Sequence, residues 1–290
     1  MPGAYAAGVL SVEHWPELSE PLMVVALTGW VDAGGAGNGA IAALVEQLTD
    51  RMEFGSIDVA MLADLQQTRP VARWEESARV IDWPRIVFEC GRIGGGREGA
   101  GRDVVVVRGP EPSLRWPAVA STVVDAARRL GVRQAATLGG IPALVSHRKA
   151  AVVTASATQR SLAQESVPLR PDYAGPTGLQ TVILRALGDG GIPGCGLWAQ
   201  VPQYVAGSPS PPAVRALLGR LVDLYNLDLD LRALDERSQA YLRRVEAGLA
   251  ARPDVKEVVD QIDQRQESTT GDLVAEIEQF LRSQSDDDPA

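Results

Sequence analysis

The sequence predicts an α/β domain followed by a helical appendage, and three observations carry that prediction. Apolar runs of strand length alternate with stretches whose apolar residues recur at helical spacing. A glycine-rich loop joins the first run to the first such stretch, and from residue 227 onward the pattern is helical alone. The expected layout is an α/β core over 1–226, a C-terminal helical appendage over 227–282 and a disordered acidic tail over 283–290 carrying Asp286 to Asp288.

Residues 22–27, after a polar lead-in ending at Pro21, read as a short buried strand. The glycine loop over 29–39 follows, then a helix with Ile41, Leu44, Val45 and Leu48 at i, i+3, i+4 and i+7, the opening of a βα unit. Residues 86–89 and 104–107 flank a second glycine-rich stretch and read as a hairpin, which gives the sheet some antiparallel pairing. A helix over about 117–130 stops at Gly131, a residue suited to the position just past a helix end.

Strands at 134–138 and 151–155, a helix over about 177–187, a strand at 196–201 and a helix ending near Tyr225 complete the core. Such alternation points to a mostly parallel sheet. In the appendage, Leu231, Leu234, Ser238, Tyr241, Val245 and Leu249 fall near one stripe. Pro253 breaks it, Val255, Val258, Val259 and Ile262 start a second, and Leu273, Ile277, Phe280 and Leu281 form a third.

At 290 residues and 45% hydrophobic, the chain can bury a sizeable core without disulfide or metal. Its net charge of −9 argues against a nucleic-acid footprint or an anionic membrane surface. Nearly all its cations are arginine, only Lys149 and Lys256 being lysine. Cys90 and Cys195 read as two buried free thiols. The first residues lack a leader pattern, and no apolar run reaches the roughly 18 residues of a membrane span, so a cytoplasmic location is expected.

The most enzyme-like feature is the loop from Gly29 to Ala40. Gly35, Gly37 and Ala40 match a loose G-x-G-x-x-A, with Asp58 about twenty residues on, as in pyrophosphate-binding βαβ units. Yet Asp32 puts negative charge where phosphate would sit, and a tight turn that lets a helix pack closely on a sheet is the favoured alternative. A phosphate-binding P-loop is excluded, because neither lysine follows a glycine. No G-x-S-x-G elbow and no metal-ligand spacing occur.

His147, between two strands and beside Ser146, Arg148 and Lys149, is the one reasonable general base. Its cationic neighbours disfavour its charged form. An extended segment would point Ser146 and His147 to opposite faces, so they are not a nucleophile–base pair. A loop or interface histidine is favoured over a functional one. Arg69, held extended by Pro70, could reach a partner's carboxylate or cap a nearby carbonyl. Trp74 and Trp83 read as core or interface anchors.

Four segments in order resemble the proteasome assembly chaperone family with its bacterial and archaeal relatives. They are VVALTGWVDAGGAGNGAI, DLQQTRPVARWEESARVIDW, LGGIPALVSHRKAAVVTASAT and GPTGLQTVILRALGDGGIPGCGLWAQVP, which together lie within residues 24–262. The resemblance implies a three-layer α/β/α domain similar to phosphorylases and hydrolases of that architecture. It also implies a non-enzymatic homo-oligomer, a trimer among its arrangements, that acts as chaperone or scaffold with proteasome subunits as partners. No cofactor and no metal are expected.

Relatives of this family include chains ending in a hydrophobic–tyrosine–any-residue tail; this one ends Asp288-Pro289-Ala290. The residues expected to form a ligand or interface loop are Gly29, Trp30, Asp32, Gly34, Gly35, Arg69, Gly139, Gly140, His147 and Gly178. The alternative is an enzyme or binder of a small phosphorylated or nucleoside-like ligand in that glycine-loop cleft. Strand ends of an α/β sheet are where such ligands sit, and the segment from Gly175 to Gly178 would add an anion site.

Overall fold

Strand β2 (Leu22–Thr28) has no polar face, so it must be covered on both sides. Leu22, Val24 and Ala26 enter one core and Met23, Val25 and Leu27 the other. The computed structural model describes residues 10–95, 101–158 and 174–265. In chain order, the elements before the middle of the sheet are β1 (Leu10–Val12), β2, α1 (Ala36–Val45), β3 (Thr49–Asp58), β4 (Val71–Glu75), β5 (Ala78–Asp82), β6 (Arg85–Gly95) and β7 (Arg102–Pro110). They are followed by α2 (Trp116–Arg129), β8 (Gln134–Ala143), β9 (Val153–Ala157), α3 (Leu179–Asp189), β10 (Gly194–Pro202), α4 (Pro211–Tyr225), β11 (Leu227–Asp228), α5 (Arg232–Ala250) and a helix over 253–265, here α6.

The main sheet runs β1-β3-β6-β7-β2-β8-β10-β9, with β11 beside β6. Its centre, β7-β2-β8-β10, is parallel, in the registers Leu22↔Val104, Leu22↔Gln134 and Gly194↔Ala135. The flanking ladders are antiparallel, among them the expected β6–β7 hairpin with Val87 opposite Arg108. Following these directions outward, β2, β3, β7, β8, β10 and β11 point one way and β1, β6 and β9 the other. Helices α1 and α4 cover one face, through Ile41, Leu44, Leu217 and Leu221. Helices α2 and α3 cover the other, through Val119, Val123, Ile183 and Leu187. Three layers result, an α/β/α sandwich with a mixed sheet.

Several local expectations shift. Leu227 and Asp228 are not helical; they pair with Gly95 and Gly94 of β6 inside the sheet, and the helical part begins at Arg232. Helix α5 packs back on the core through Leu234. The third apolar stripe, over 273–281, and the acidic tail lie outside the described residues. Asp58 does not lie beside the glycine loop. It ends β3, which β6 and β7 separate from β2, roughly 14 Å away at ordinary strand spacing. That placement removes the dinucleotide-binding arrangement. Cys90 and Cys195 are free and buried in opposite cores, so no disulfide links them.

The outer part of the α1/α4 face carries charge. Glu89 of β6 is 2% exposed. It accepts two hydrogen bonds from Arg108 of β7, both 2.9 Å, and one of 2.8 Å from Arg51 of β3. Burial pushes the Glu89 carboxyl up, but the hydrogen bonds and charges of Arg108 and Arg51 outweigh it and hold it below the usual range.

Candidate functional site

The strand directions send the loops after β2, β3, β7, β8 and β10 to one end of the sheet, its carboxyl end. The glycine loop is closed onto that end rather than open over it. Gly34 and Gly35 take φ of 63° and 55°, the left-handed turn a glycine makes cheaply. Gly140 donates its N–H to Val31 O at 2.9 Å, and Asp32 bridges to Gly140 in parallel register. Gly37 lets α1 sit directly against the Leu138 carbonyl. The tight-turn reading of this loop therefore holds in geometry.

The amides that a phosphate would use are already taken. Asp32 Oδ1 accepts from Gly37 N–H at 2.7 Å and Asn38 N–H at 3.4 Å, at the start of α1. Burial pushes the Asp32 carboxyl above its ordinary value, and these amide hydrogen bonds offset that in part. At the start of α3, just after Gly178, Leu179 N–H donates to Glu111 Oε1, a carboxylate from the loop after β7. A carboxylate at a helix N-terminus satisfies free amides and complements the helix dipole. Both anion-binding positions of this fold are filled from within the chain.

The ten residues singled out in the sequence thus divide. Gly29, Asp32, Gly34, Gly35, Gly139, Gly140 and Gly178 converge around these plugs. Trp30 sits on the same loop but projects outward, 60% exposed. Arg69 lies elsewhere, exposed in the loop before β4. His147 is buried in the loop after β8.

The surroundings of His147 are structural in kind. Tyr204 Oη accepts the His147 backbone N–H at 2.9 Å and lies 2.6 Å from Nδ1, while Nε2 lies 3.1 Å from Glu246 Oε1 of α5. The pattern assigns a neutral ring with its proton on Nε2, donated to Glu246. Next to it, Arg148 donates to Glu246 at 2.6 Å and to Asp260 and Asp263 of α6 at 2.8 Å each. Two successive residues of one core loop therefore latch both C-terminal helices. His147 and Arg148 are readable as neighbours, but no sequence signal points to Tyr204, Glu246, Asp260 or Asp263, all more than fifty residues away.

Burial holds the His147 imidazole below its ordinary value; Glu246 pulls the other way and Arg148 adds to the depression. With the folded pKa below the unfolded one, the unfolded chain takes up the proton first. The contribution is complete above about pH 6.5 and is lost as pH falls below it. Hydrogen exchange in α5 and α6, corrected for intrinsic rate, should therefore rise severalfold from pH 7.5 to 5.5 while α1 stays protected. Equal protection of α5 and α6 at both values would remove the latch.

What the carboxyl end does expose is apolar. The described residues include eleven exposed large apolar side chains, and nine lie on its loops: Trp30, Met61, Val71, Trp74, Ile81, Trp83, Leu114, Leu144 and Val152. Four of these belong to an arm, the separate β4–β5 hairpin with its following turn, which pairs Trp74 with Arg79. Almost every arm residue is exposed on either face. Arg73 holds Asp82 across it at 2.6 Å, and the Arg79 guanidinium stands 5.8 Å from the Trp74 ring. Trp74 and Trp83 are 69% and 54% exposed, which removes the core alternative for both.

Fold and site together define an α/β sandwich whose carboxyl-end loops carry internal carboxylates at two helix starts and exposed apolar side chains. The model of the PAC2 family matches residues 26–248, and the chain belongs to that family. A PAC2 family protein from Streptomyces avermitilis is 33% identical, with a TM-score of 0.71 over 78% of this chain and 95% of that one. A proteasome-assembly chaperone homologue from Mycobacterium tuberculosis is 30% identical, with a TM-score of 0.73 over 82% and 99%. A second M. tuberculosis protein, of unknown function, reaches a TM-score of 0.82 at 26% identity over 95% and 93%. Among curated proteins, none matches the sequence. No helix among the described residues is long and apolar enough to cross a membrane.

Proposed function

We propose that this protein is a non-enzymatic, homo-oligomeric interaction protein that acts as a chaperone or scaffold in the assembly of a protein complex of the proteasome type. The observation that carries the reading is the apolar carboxyl-end face with its projecting arm. Exposed aromatic side chains gathered on one side mark binding surfaces, and a lone two-stranded hairpin is marginal in water unless something packs on it. The 30% identical M. tuberculosis chaperone homologue supplies the class of client. In this reading Arg69, exposed at the root of the arm, meets a client's carboxylate. The alternative, a phosphorylated ligand in the glycine-loop cleft, is disfavoured by the Asp32 and Glu111 plugs.

The test is co-purification of the tagged full-length protein from its native cytoplasm, with proteasome subunits as the expected co-eluting species. Replacing both Trp74 and Trp83 with Ser should cut the recovered partner at least about tenfold, the scale of a buried aromatic anchor at an interface. The melting temperature should stay within about 2 °C, because exposed substitutions rarely exceed about 0.5 kcal/mol. Undiminished recovery by the double variant would sink the role of the arm.

A further inference from the structure

The opposite, amino end of the sheet holds a second surface of different chemistry. Two open clefts, each of roughly 500 Å³, share Ser19, Glu20 and Arg133 and so form one groove. Four arginines line it, Arg92, Arg102, Arg128 and Arg133, against two carboxylates, Glu20 and Asp103. That is a local excess of two positive charges on a chain whose net charge is −9.

Two of the four guanidiniums have no ion pair among the described residues. Arg102, at the start of β7, donates to Tyr225 O at 3.1 Å and Gln134 Oε1 at 2.7 Å, and stands 5.9 Å from the Tyr225 ring. Arg128 donates to Gly190 O at 3.2 Å. The other two hold carboxylates, Glu20 at the surface and Asp103, which the Ser19 N–H also fixes at 2.7 Å. Arg133 pairs with Glu20 at 3.1 Å with both side chains about 70% exposed, and Arg92 meets Asp103 at 3.2 Å. Burial also pushes the Arg102 guanidinium below its ordinary value, with Tyr225 and the charge of Glu20 offsetting this only in part.

We propose that this groove binds an acidic peptide segment of a partner protein in extended form, through carboxylates placed on Arg102 and Arg128. Length and shape favour a chain over a small anion. The groove crosses the carboxyl end of the antiparallel β6 and the amino ends of β7, β2 and β8 toward β10, about 14–19 Å at ordinary strand spacing, which five or six extended residues span. It is open along that length, whereas small-molecule sites enclose most of their ligand. Guanidiniums favour carboxylates, and the existing Arg133–Glu20 and Arg92–Asp103 pairs, each through one hydrogen bond, show that this groove takes them. Exposed Glu20 stands in for the segment until it arrives.

The probe is a fluorescent hexaglutamate peptide with blocked ends, titrated with the full-length protein at low ionic strength. Saturable one-to-one binding that weakens with added salt is expected, with affinity reduced about tenfold by either Arg102→Gln or Arg128→Gln. Arg128 touches only a surface carbonyl, so its variant decides the matter even if Arg102→Gln perturbs β7. Arg73→Gln, on the arm at the far end of the sheet, should leave the affinity unchanged. Equal binding by wild type and Arg128→Gln, or an equal loss in Arg73→Gln, overturns the proposal. So does displacement of the peptide by inorganic pyrophosphate at lower concentration than by unlabelled peptide, which would make the groove a small-polyanion site.

Discussion

Gly140→Ala should cost the protein about 3 kcal/mol or more, a large share of the 5–15 kcal/mol that holds a typical domain folded. The added methyl would run into the carbonyl oxygen of Ala33, with the Ala36 Cβ at 3.0 Å behind it. Nothing there can step aside. Gly140 is fixed in β8 opposite Ala199 of β10, and Ala33 is held in the turn that Asp32 and Gly35 close. Relief would need the glycine loop to lift from the sheet, which would break the Val31–Gly140 hydrogen bond and carry the start of α1 with it. At about 2–4 °C per kcal/mol for a chain of this size, the melting temperature should fall by about 6–12 °C. Gly35→Asn is the contrast: no atom lies within 4 Å of the new Cβ, and asparagine tolerates the left-handed turn, so about 1 kcal/mol at most is expected. Thermal and urea unfolding of the two variants measures both, and equal stabilities would refute the close-packed loop.

Arg108→Ala should be nearly as damaging, about 3 kcal/mol. The loss is not the arginine's own packing but what it leaves behind. Glu89 would keep a buried carboxylate with Arg51 as its one remaining ionic partner in this cluster. The reverse deletion is milder, since Arg108 and Arg51 are 36% and 46% exposed and can turn to water. Removing both charges at once, with Arg108→Met and Glu89→Leu together, should recover much of the loss.

The pH dependence follows with a definite sign. In the wild type the Glu89 pKa is depressed, so its contribution is present above the unfolded value near 4.5 and lost as pH falls through the folded one. In Arg108→Ala burial prevails and Glu89 is easier to protonate folded. The deficit of the variant should therefore shrink between pH 7 and pH 4.5. A deficit that is constant across that range would show that the cluster is not held by charge.

Much of the frame was legible because its signals are local. The uninterrupted apolar run of β2 and the i, i+3, i+4 spacing of α1 each declare themselves within a dozen residues, as does Gly131 just past α2; Gly188, by contrast, sits inside α3 rather than ending it. The β4–β5 arm hides for an equally local reason. Its turn is Glu76-Ser77, with Glu76 itself at φ 50°, and lacks the Asn-Gly or Asp-Gly pair that marks a tight hairpin. Strand β3 is half exposed and charged in its first residues, so its alternation is blurred. Within the site, Asp32 was readable as a charge in the phosphate position. Glu111 was not, because it reaches α3 from 68 residues away and no spacing rule spans that distance.

The two internal carboxylates have a consequence for how the protein meets other molecules. In many α/β proteins the loops at this end take their working shape only when a nucleotide or phosphate draws them together, so recognition reports on a metabolite. Here Asp32 and Glu111 do that drawing permanently. The loops that these two carboxylates hold need no ligand to close them. A partner need not supply the roughly 0.5–1.5 kcal/mol per side chain that ordering a loose surface would cost. On the proposed function, a client meeting these loops would need no small molecule to shape them.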